Sequence, residues 1–184
     1  MRSKVRFITI GYVEWRKGQD VLVDAIEMLP SEYTDKAEYL IVGQDTSFMA
    51  QNIRKRTDGI ANIDMTGTVS RDEIHKLLNE CDMMICPSRE DSMPTVCAEA
   101  MMHSLPCIVS DATGTSEYIT DGYDGMIFLS ESAKDLSEKI QLCIEHKDEL
   151  HIMGERAHEI YERIFSGAAF ERSLMSYIED ALRG

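Results

Sequence analysis

Between residues 82 and 109 the chain passes from a short apolar run, through a polar loop, into a helical segment and back to a second apolar run. The runs 82–86 and 107–109 are too short for helices and apolar on every side chain after Asp82, the pattern of strands buried on both faces of a parallel sheet. The same alternation fills the rest of the chain. Further strands are expected over 5–10, 38–42, 63–66 and 126–129. Helices are expected over 21–29, 48–57, 71–81 and 95–103, then over 133–146, 148–165 and 167–182. Ser70-Arg71-Asp72-Glu73 has the form of a capping box, with Ser70 as N-cap and Glu73 at the third position. Such alternation predicts an α/β fold with a doubly wound, Rossmann-like parallel sheet, whose ligands bind at the carboxyl ends of the strands.

At 184 residues the chain is long enough for one domain with a substantial core, read here as a single unit over 1–184. Its formal net charge of −14 argues against nucleic acid as the main partner, because a phosphate backbone requires clustered Lys and Arg. The longest basic cluster, Arg54-Lys55-Arg56, sits on an expected helix and reads as a solvated face. Cys81, Cys86, Cys97, Cys107 and Cys143 are odd in number and lack Cys-x-x-Cys spacing, which points to packing thiols in a reducing compartment. Without a signal-peptide pattern or an apolar run of transmembrane length, the expected location is cytoplasmic.

Candidate chemistry gathers in the loops that follow the strands. Asp91 and Glu99 bracket the point where the loop after residue 86 becomes a helix. A helix N-terminus exposes unpaired N–H groups and the positive end of the dipole, so it favours an anion. Carboxylates beside it can accept hydrogen bonds from sugar hydroxyls. Phosphate and sugar recognition side by side describe a nucleotide-sugar pocket. Lys17, in the first strand–helix loop next to Gly18, can meet a diphosphate, and Gly18 lets backbone come close. Glu99, on a face otherwise rich in Ala, Cys and Met, needs hydrogen-bond partners, and a ribose diol supplies two donors. The amides of Met93, Thr95 and Val96 can hold a phosphate or sugar, with Pro94 shaping the turn. The five histidines have no metal-ligand spacing and read as surface or packing residues. No Asp-x-Asp, no Gly-x-Gly-x-x-Gly after the first strand and no Gly-x-x-x-x-Gly-Lys-Ser/Thr occurs.

Pro87-Ser88, Glu99-Ala100-Met101, Pro106, Ser110-Asp111, Gly114, Glu117, Asp121-Gly122 and Gly125 stand in order and at spacings that resemble the donor-binding half of GT-B glycosyltransferases, in the retaining family GT4. The resemblance begins at Gly11 and Lys17-Gly18 and covers nearly the whole chain. It implies a single carboxy-terminal GT-B half that binds a nucleotide diphosphate-sugar as donor, with no further cofactor and no metal. An amino-terminal acceptor domain would lie outside the chain, since Met1-Arg2-Ser3-Lys4 leads straight into a strand; any membrane association would come through that half. The isolated chain is expected to bind a donor without efficient transfer. The resemblance gives Lys17, with Arg16 as a candidate second cation, the leaving diphosphate, Glu99 the ribose and Asp91 the donor sugar, makes Lys17, Glu99 and Asp91 the catalytic set, and puts Gly11 in the donor loop and Val69 near the nucleobase. It implies hexosyl transfer to a cell-surface polysaccharide or glycolipid.

Two positions depart from the family pattern. Asp91 stands where the family has Glu, so either Asp91 or its neighbour Glu90 faces the sugar. Tyr12 stands where the family often has Arg, so either Arg16 replaces that charge or the charge is missing. A sugar-nucleotide epimerase half and a binding domain without catalysis remain as alternative readings.

Overall fold

The computed structural model describes residues 3–183. Met1 and Arg2, with which the expected abrupt entry into the first strand begins, lie outside the described residues, as does Gly184.

Strand β1 (Val5–Ile10) leads through a 3-10 turn, Trp15–Lys17, into helix α1 (Gln19–Glu27), and a short helix α2 (Ser31–Thr34) precedes β2 (Ala37–Val42). Helix α3 (Phe48–Thr57), β3 (Ile63–Gly67), α4 (Arg71–Glu80), β4 (Met83–Cys86), α5 (Thr95–Met102) and β5 (Cys107–Ser110) continue the alternation. A 3-10 turn at Gly114–Tyr118 and strand β6 (Met126–Phe128) lead to α6 (Ala133–Glu145), α7 (Leu150–Ile160) and α8 (Gly167–Arg183).

All strand pairings are parallel, in the order β3-β2-β1-β4-β5-β6. Strand periodicity of two divides the core. Phe7, Tyr39, Met83 and Ile85 point to the face covered by α1 and α6, where they meet Leu22, Ile26, Leu136 and Ile140. Ile8, Leu40, Met84 and Cys86 point to the opposite face and meet Leu77 and Leu78 of α4, Cys97 and Met101 of α5, and Ile160 of α7. The winding direction reverses between β1 and β4, which places a crevice at the carboxyl ends of those two strands.

Serines start several helices as their chemistry dictates. Ser70 Oγ accepts from the Glu73 amide at 3.2 Å, as the capping box required, and Ser47, Ser132 and Ser166 cap α3, α6 and α8 in the same way. Two local expectations are corrected. The helix expected over 148–165 is divided: a π turn at Tyr161–Phe165 follows α7 and closes with the Ser166 amide on the Tyr161 carbonyl at 2.9 Å. The wider turn accompanies packing of Tyr161, Ile164 and Phe165 against the core. The basic cluster is only partly a solvated face, because Arg56 pairs with Asp24 at 2.6 Å and Glu27 at 2.7 Å and ties α3 to α1. Burial pushes the Cys143 thiol up to about 12, and Cys86 and Cys97 are raised by hydrogen bonding among the buried thiols and by burial, so these cysteines are core residues, not nucleophiles.

Candidate functional site

The loops after β1, β4 and β5 meet at the crevice, and glycines let them touch. Gly18 has φ +69°, and a Cβ there would lie 1.9 Å from the Pro87 carbonyl oxygen. Its small size therefore lets the backbones of two loops come into contact. Gly114 has the same use, since a Cβ there would lie 1.8 Å from the Ser92 carbonyl oxygen. The Gly114 amide donates to the Asp91 carbonyl at 2.9 Å, so the β4 and β5 loops are joined beside Asp91.

Lys17 extends over Gly11, and its ammonium reaches Asp91 Oδ2 at 2.5 Å. Arg16 Nη1 lies 3.7 Å from the same oxygen and donates to the Glu90 carbonyl at 3.2 Å. A second guanidinium nitrogen of Arg16 faces Glu14 at 3.3 Å. Two cations and one carboxylate are thus gathered at the switch in strand order. Of the neighbouring acids, Asp91 turns inward, with a side chain 12% exposed, while Glu90 is exposed. Tyr12 is exposed, and its carbonyl accepts from the side-chain amide of the buried Gln19 at 2.9 Å.

Helix α5 begins at the same crevice. Pro94 is its N-cap and supplies no side-chain hydrogen bond, so the first-turn amides of Thr95 and Val96 head the helix without a side-chain cap. Met93 is partly exposed beside them and Val96 packs half-buried on the core. Glu99 lies one turn further along, half-buried, and among the described residues its carboxylate makes no ion pair. It stands four residues before His103, whose pKa is lowered by burial and by His75 and raised less by Glu99. Val69 is not joined to Lys17 or Asp91. It packs half-buried against the cluster containing Cys97, Ala100 and Met101, as a residue at the entry to α4.

Several positions of the sequence pattern hold the loops. Ser110 Oγ donates to the Ser88 carbonyl, Asp111 accepts from the Ser130 amide at 2.8 Å, and Asp121 accepts from the Ile127 amide at 2.9 Å. Glu117 is exposed within the 3-10 turn Gly114–Tyr118. Arg89 was not singled out from sequence. Its guanidinium is bidentate to Asp20, at 2.9 and 2.8 Å, and Nε donates to Glu131 at 2.8 Å.

Elsewhere, a cleft of about 830 Å³ opens at the amino ends of β4 and β5, lined in part by Asp82, His103, Pro106 and His151. It lies at the wrong end of the sheet for the ligand position of a doubly wound fold. Among the described residues, no cluster of three His, Cys, Asp or Glu side chains could hold a metal ion, and no helix is long and apolar enough to cross a membrane.

Comparison with known proteins agrees with this architecture. Residues 2–160 match the family described as glycosyl transferases group 1. An uncharacterized glycosyltransferase of Methanocaldococcus jannaschii is 26% identical over 154 residues, covering 84% of this chain and 42% of the relative. The N,N'-diacetylbacillosaminyl-diphospho-undecaprenol alpha-1,3-N-acetylgalactosaminyltransferase of Campylobacter jejuni is 32% identical over 139 residues, covering 75% of this chain and 35% of the relative. The crystal structure of Anabaena HepE in complex with UDP and glucose superposes with a TM-score of 0.82 at 18% identity, over 97% of this chain and 49% of HepE. The chain thus spans less than half the length of each. Its fold is the Rossmann-like carboxy-terminal half of a GT-B glycosyltransferase, and the chain belongs to the glycosyl transferases group 1 family.

Proposed function

We propose that residues 1–184 form the donor-binding half of a retaining, GT4-type hexosyltransferase, completed by an acceptor domain outside this chain. The observation that carries the reading is the meeting of Lys17 and Asp91 where the strand order reverses, beside the uncapped start of α5. Lys17 and the first-turn amides of α5, at Thr95 and Val96, receive the diphosphate, where negative charge grows as the sugar departs. Arg16 stands in for the cation missing at Tyr12. Asp91, not Glu90, faces the donor sugar. Glu99 accepts hydrogen bonds from the ribose diol, a use favoured by its unpaired, half-buried carboxylate. Met93 and Pro94 shape the sugar side of the loop, Gly11 lies beneath Lys17, and Val69 borders the base.

In the transfer, the bond between the anomeric carbon and the diphosphate oxygen breaks, and its electron pair leaves with the diphosphate. The acceptor hydroxyl oxygen bonds to that carbon on the same face and gives up its proton. Residues of this chain bind and orient the donor and stabilise the departing charge. The acceptor and any base come from the other half, so this chain alone binds without efficient transfer. The UDP and glucose held by HepE make UDP the first donor nucleotide to test. The diphospho-undecaprenol in the Campylobacter relative's name supports a lipid-linked or polysaccharide acceptor. Five free cysteines support a cytoplasmic location.

Calorimetric titration of the chain with UDP, GDP, ADP, CDP and dTDP, with chelator present, tests the reading. One nucleotide should bind, and binding should persist without metal. Absence of binding by all five overturns it.

A further inference from the structure

Arg89 lies two residues beyond Pro87, at the mouth of the crevice, with a side chain only 10% exposed. Its four guanidinium hydrogen bonds all go to other parts of the protein. Two go to the carboxylate of Asp20 in the first turn of α1, at 2.9 and 2.8 Å, and one to Glu131 at 2.8 Å. The fourth goes to the Trp15 carbonyl at 2.6 Å, and the Arg89 amide donates to the Arg16 carbonyl at 2.8 Å. The guanidinium also stacks on the Trp15 ring, 4.9 Å from its centroid. Both carbonyls belong to the 3-10 turn Trp15–Lys17. On the other side of that turn, Gly18 abuts the Pro87 carbonyl. The turn is therefore gripped by consecutive parts of the β4 loop, and it is the segment that carries Arg16 and Lys17.

We propose that Arg89 is a positioning residue for diphosphate binding: it clamps the Trp15–Lys17 turn so that Lys17 is held at the phosphate position. This rests on the donor-binding reading above. Four of its five N–H donors go to Asp20, Glu131 and the Trp15 carbonyl, and two carboxylates balance its charge, so its assigned role is to hold the turn and not to bind phosphate directly. Its planar fork matters, since bidentate pairing to Asp20 fixes orientation in a way that an ammonium cannot. A lysine on an unclamped turn keeps its charge and loses its preorganised position, so ordering it on the phosphate costs affinity.

The test is a double-mutant cycle on the 184-residue chain, titrated with UDP and with uridine. R89Q should weaken UDP about tenfold and leave uridine affinity within about twofold. In a K17A background, R89Q should weaken UDP little further, because there is no ammonium left to place. R89K should resemble R89Q, and D20N, which leaves the arginine but removes one arm of the clamp, should show the same pattern in smaller size. Thermal melts identify a variant that fails to fold; D20N then carries the test against K17A. Additive losses from the Arg89 or Asp20 change and K17A, or equal losses for UDP and uridine, overturn the positioning role alone. Wild-type chain that ignores UDP and every other nucleoside diphosphate overturns the donor-binding reading and this role with it.

Discussion

Lys17 and Asp91, 74 residues apart in the chain, meet at 2.5 Å between ammonium and carboxylate, with side chains only 19% and 12% exposed. The cation assigned to the diphosphate is thus already paired before any ligand arrives. On the proposed reading, a diphosphate that enters shares Lys17 with Asp91 or displaces it, and Asp91 turns from partner of the lysine to neighbour of the sugar. Free nucleoside diphosphate, whose terminal phosphate carries more negative charge than its sugar ester, meets the larger repulsion from Asp91.

It follows that D91N should bind UDP more tightly than the wild type, by at least about fivefold, since one like-charge contact costs roughly 1 kcal/mol even in bulk water and Asp91 is mostly buried. UDP-glucose should gain less or lose affinity, because it loses a sugar contact. Side-by-side titrations of the two ligands measure this. Weaker UDP binding by a folded D91N protein would show that the carboxylate helps to hold the phosphate site together.

Glu99→Gln keeps shape but replaces a charged acceptor with a neutral one. Nucleotide affinity should fall by about 1–3 kcal/mol with the melting temperature nearly unchanged. Calorimetry with UDP and with 2′-deoxy-UDP reads the contact: the two ligands should differ in the wild type and converge in E99Q. A wild type indifferent to the 2′-hydroxyl removes Glu99 from the ribose.

Gly18→Ala should be costly. The added Cβ would occupy a left-handed backbone position at φ +69° and meet the Pro87 carbonyl oxygen at 1.9 Å. Loss of about 2–4 kcal/mol of stability is expected from strain and overpacking together. Urea unfolding measures it. A change below about 0.5 kcal/mol would mean that the two loops are not packed as described.

His75 Nδ1 lies 2.8 Å from His103 Nε2, and His103 Nδ1 lies 3.1 Å from Asn79 Oδ1. With Asn79 Oδ1 accepting from His103 Nδ1, His103 Nε2 accepts from His75, an arrangement that needs a neutral His103. Burial and His75 lower the His103 pKa below the ordinary 6.5, against a smaller opposing effect of Glu99. As pH falls through about 6.5 the unfolded chain therefore takes up the proton first, so this contribution to stability is present above that pH and lost below it. H103Q should lose less stability than the wild type between pH 7 and pH 5. Parallel stability curves in urea melts would contradict the assignment.

Much of this fold is written locally. The apolar runs of β4 and β5 and the capping box at Ser70 are each contained within a few residues, and each takes the form its residues dictate. Lys17 and Asp91 could be picked out one at a time, Lys17 as a cation that can meet a diphosphate and Asp91 as a carboxylate that can accept from a sugar, with the resemblance to GT4 glycosyltransferases pointing to both. What was not legible depends on pairs far apart in the chain. Arg89 reads as an unremarked loop residue until Asp20, 69 positions earlier, and Glu131, 42 positions later, are brought against it. The contact of Gly18 with Pro87 and that of His75 with His103 are of the same kind. The choice of Asp91 over Glu90 as the inward acid also needed the structure, since adjacent residues in a loop differ only in which way the backbone turns them.

The most direct test of the account compares UDP with uridine on wild-type chain and on K17A. A net charge of −14 repels an anionic ligand at long range, so any preference for the diphosphate must come from the local cations and the α5 start. The account predicts that wild type binds UDP at least about tenfold tighter than uridine, a gap of about 1.4 kcal/mol. It predicts that K17A closes most of that gap by weakening UDP, with uridine affinity nearly unchanged. Uridine binding as tightly as UDP, or K17A lowering both equally, would contradict the assignment of Lys17 and the crevice to the phosphates.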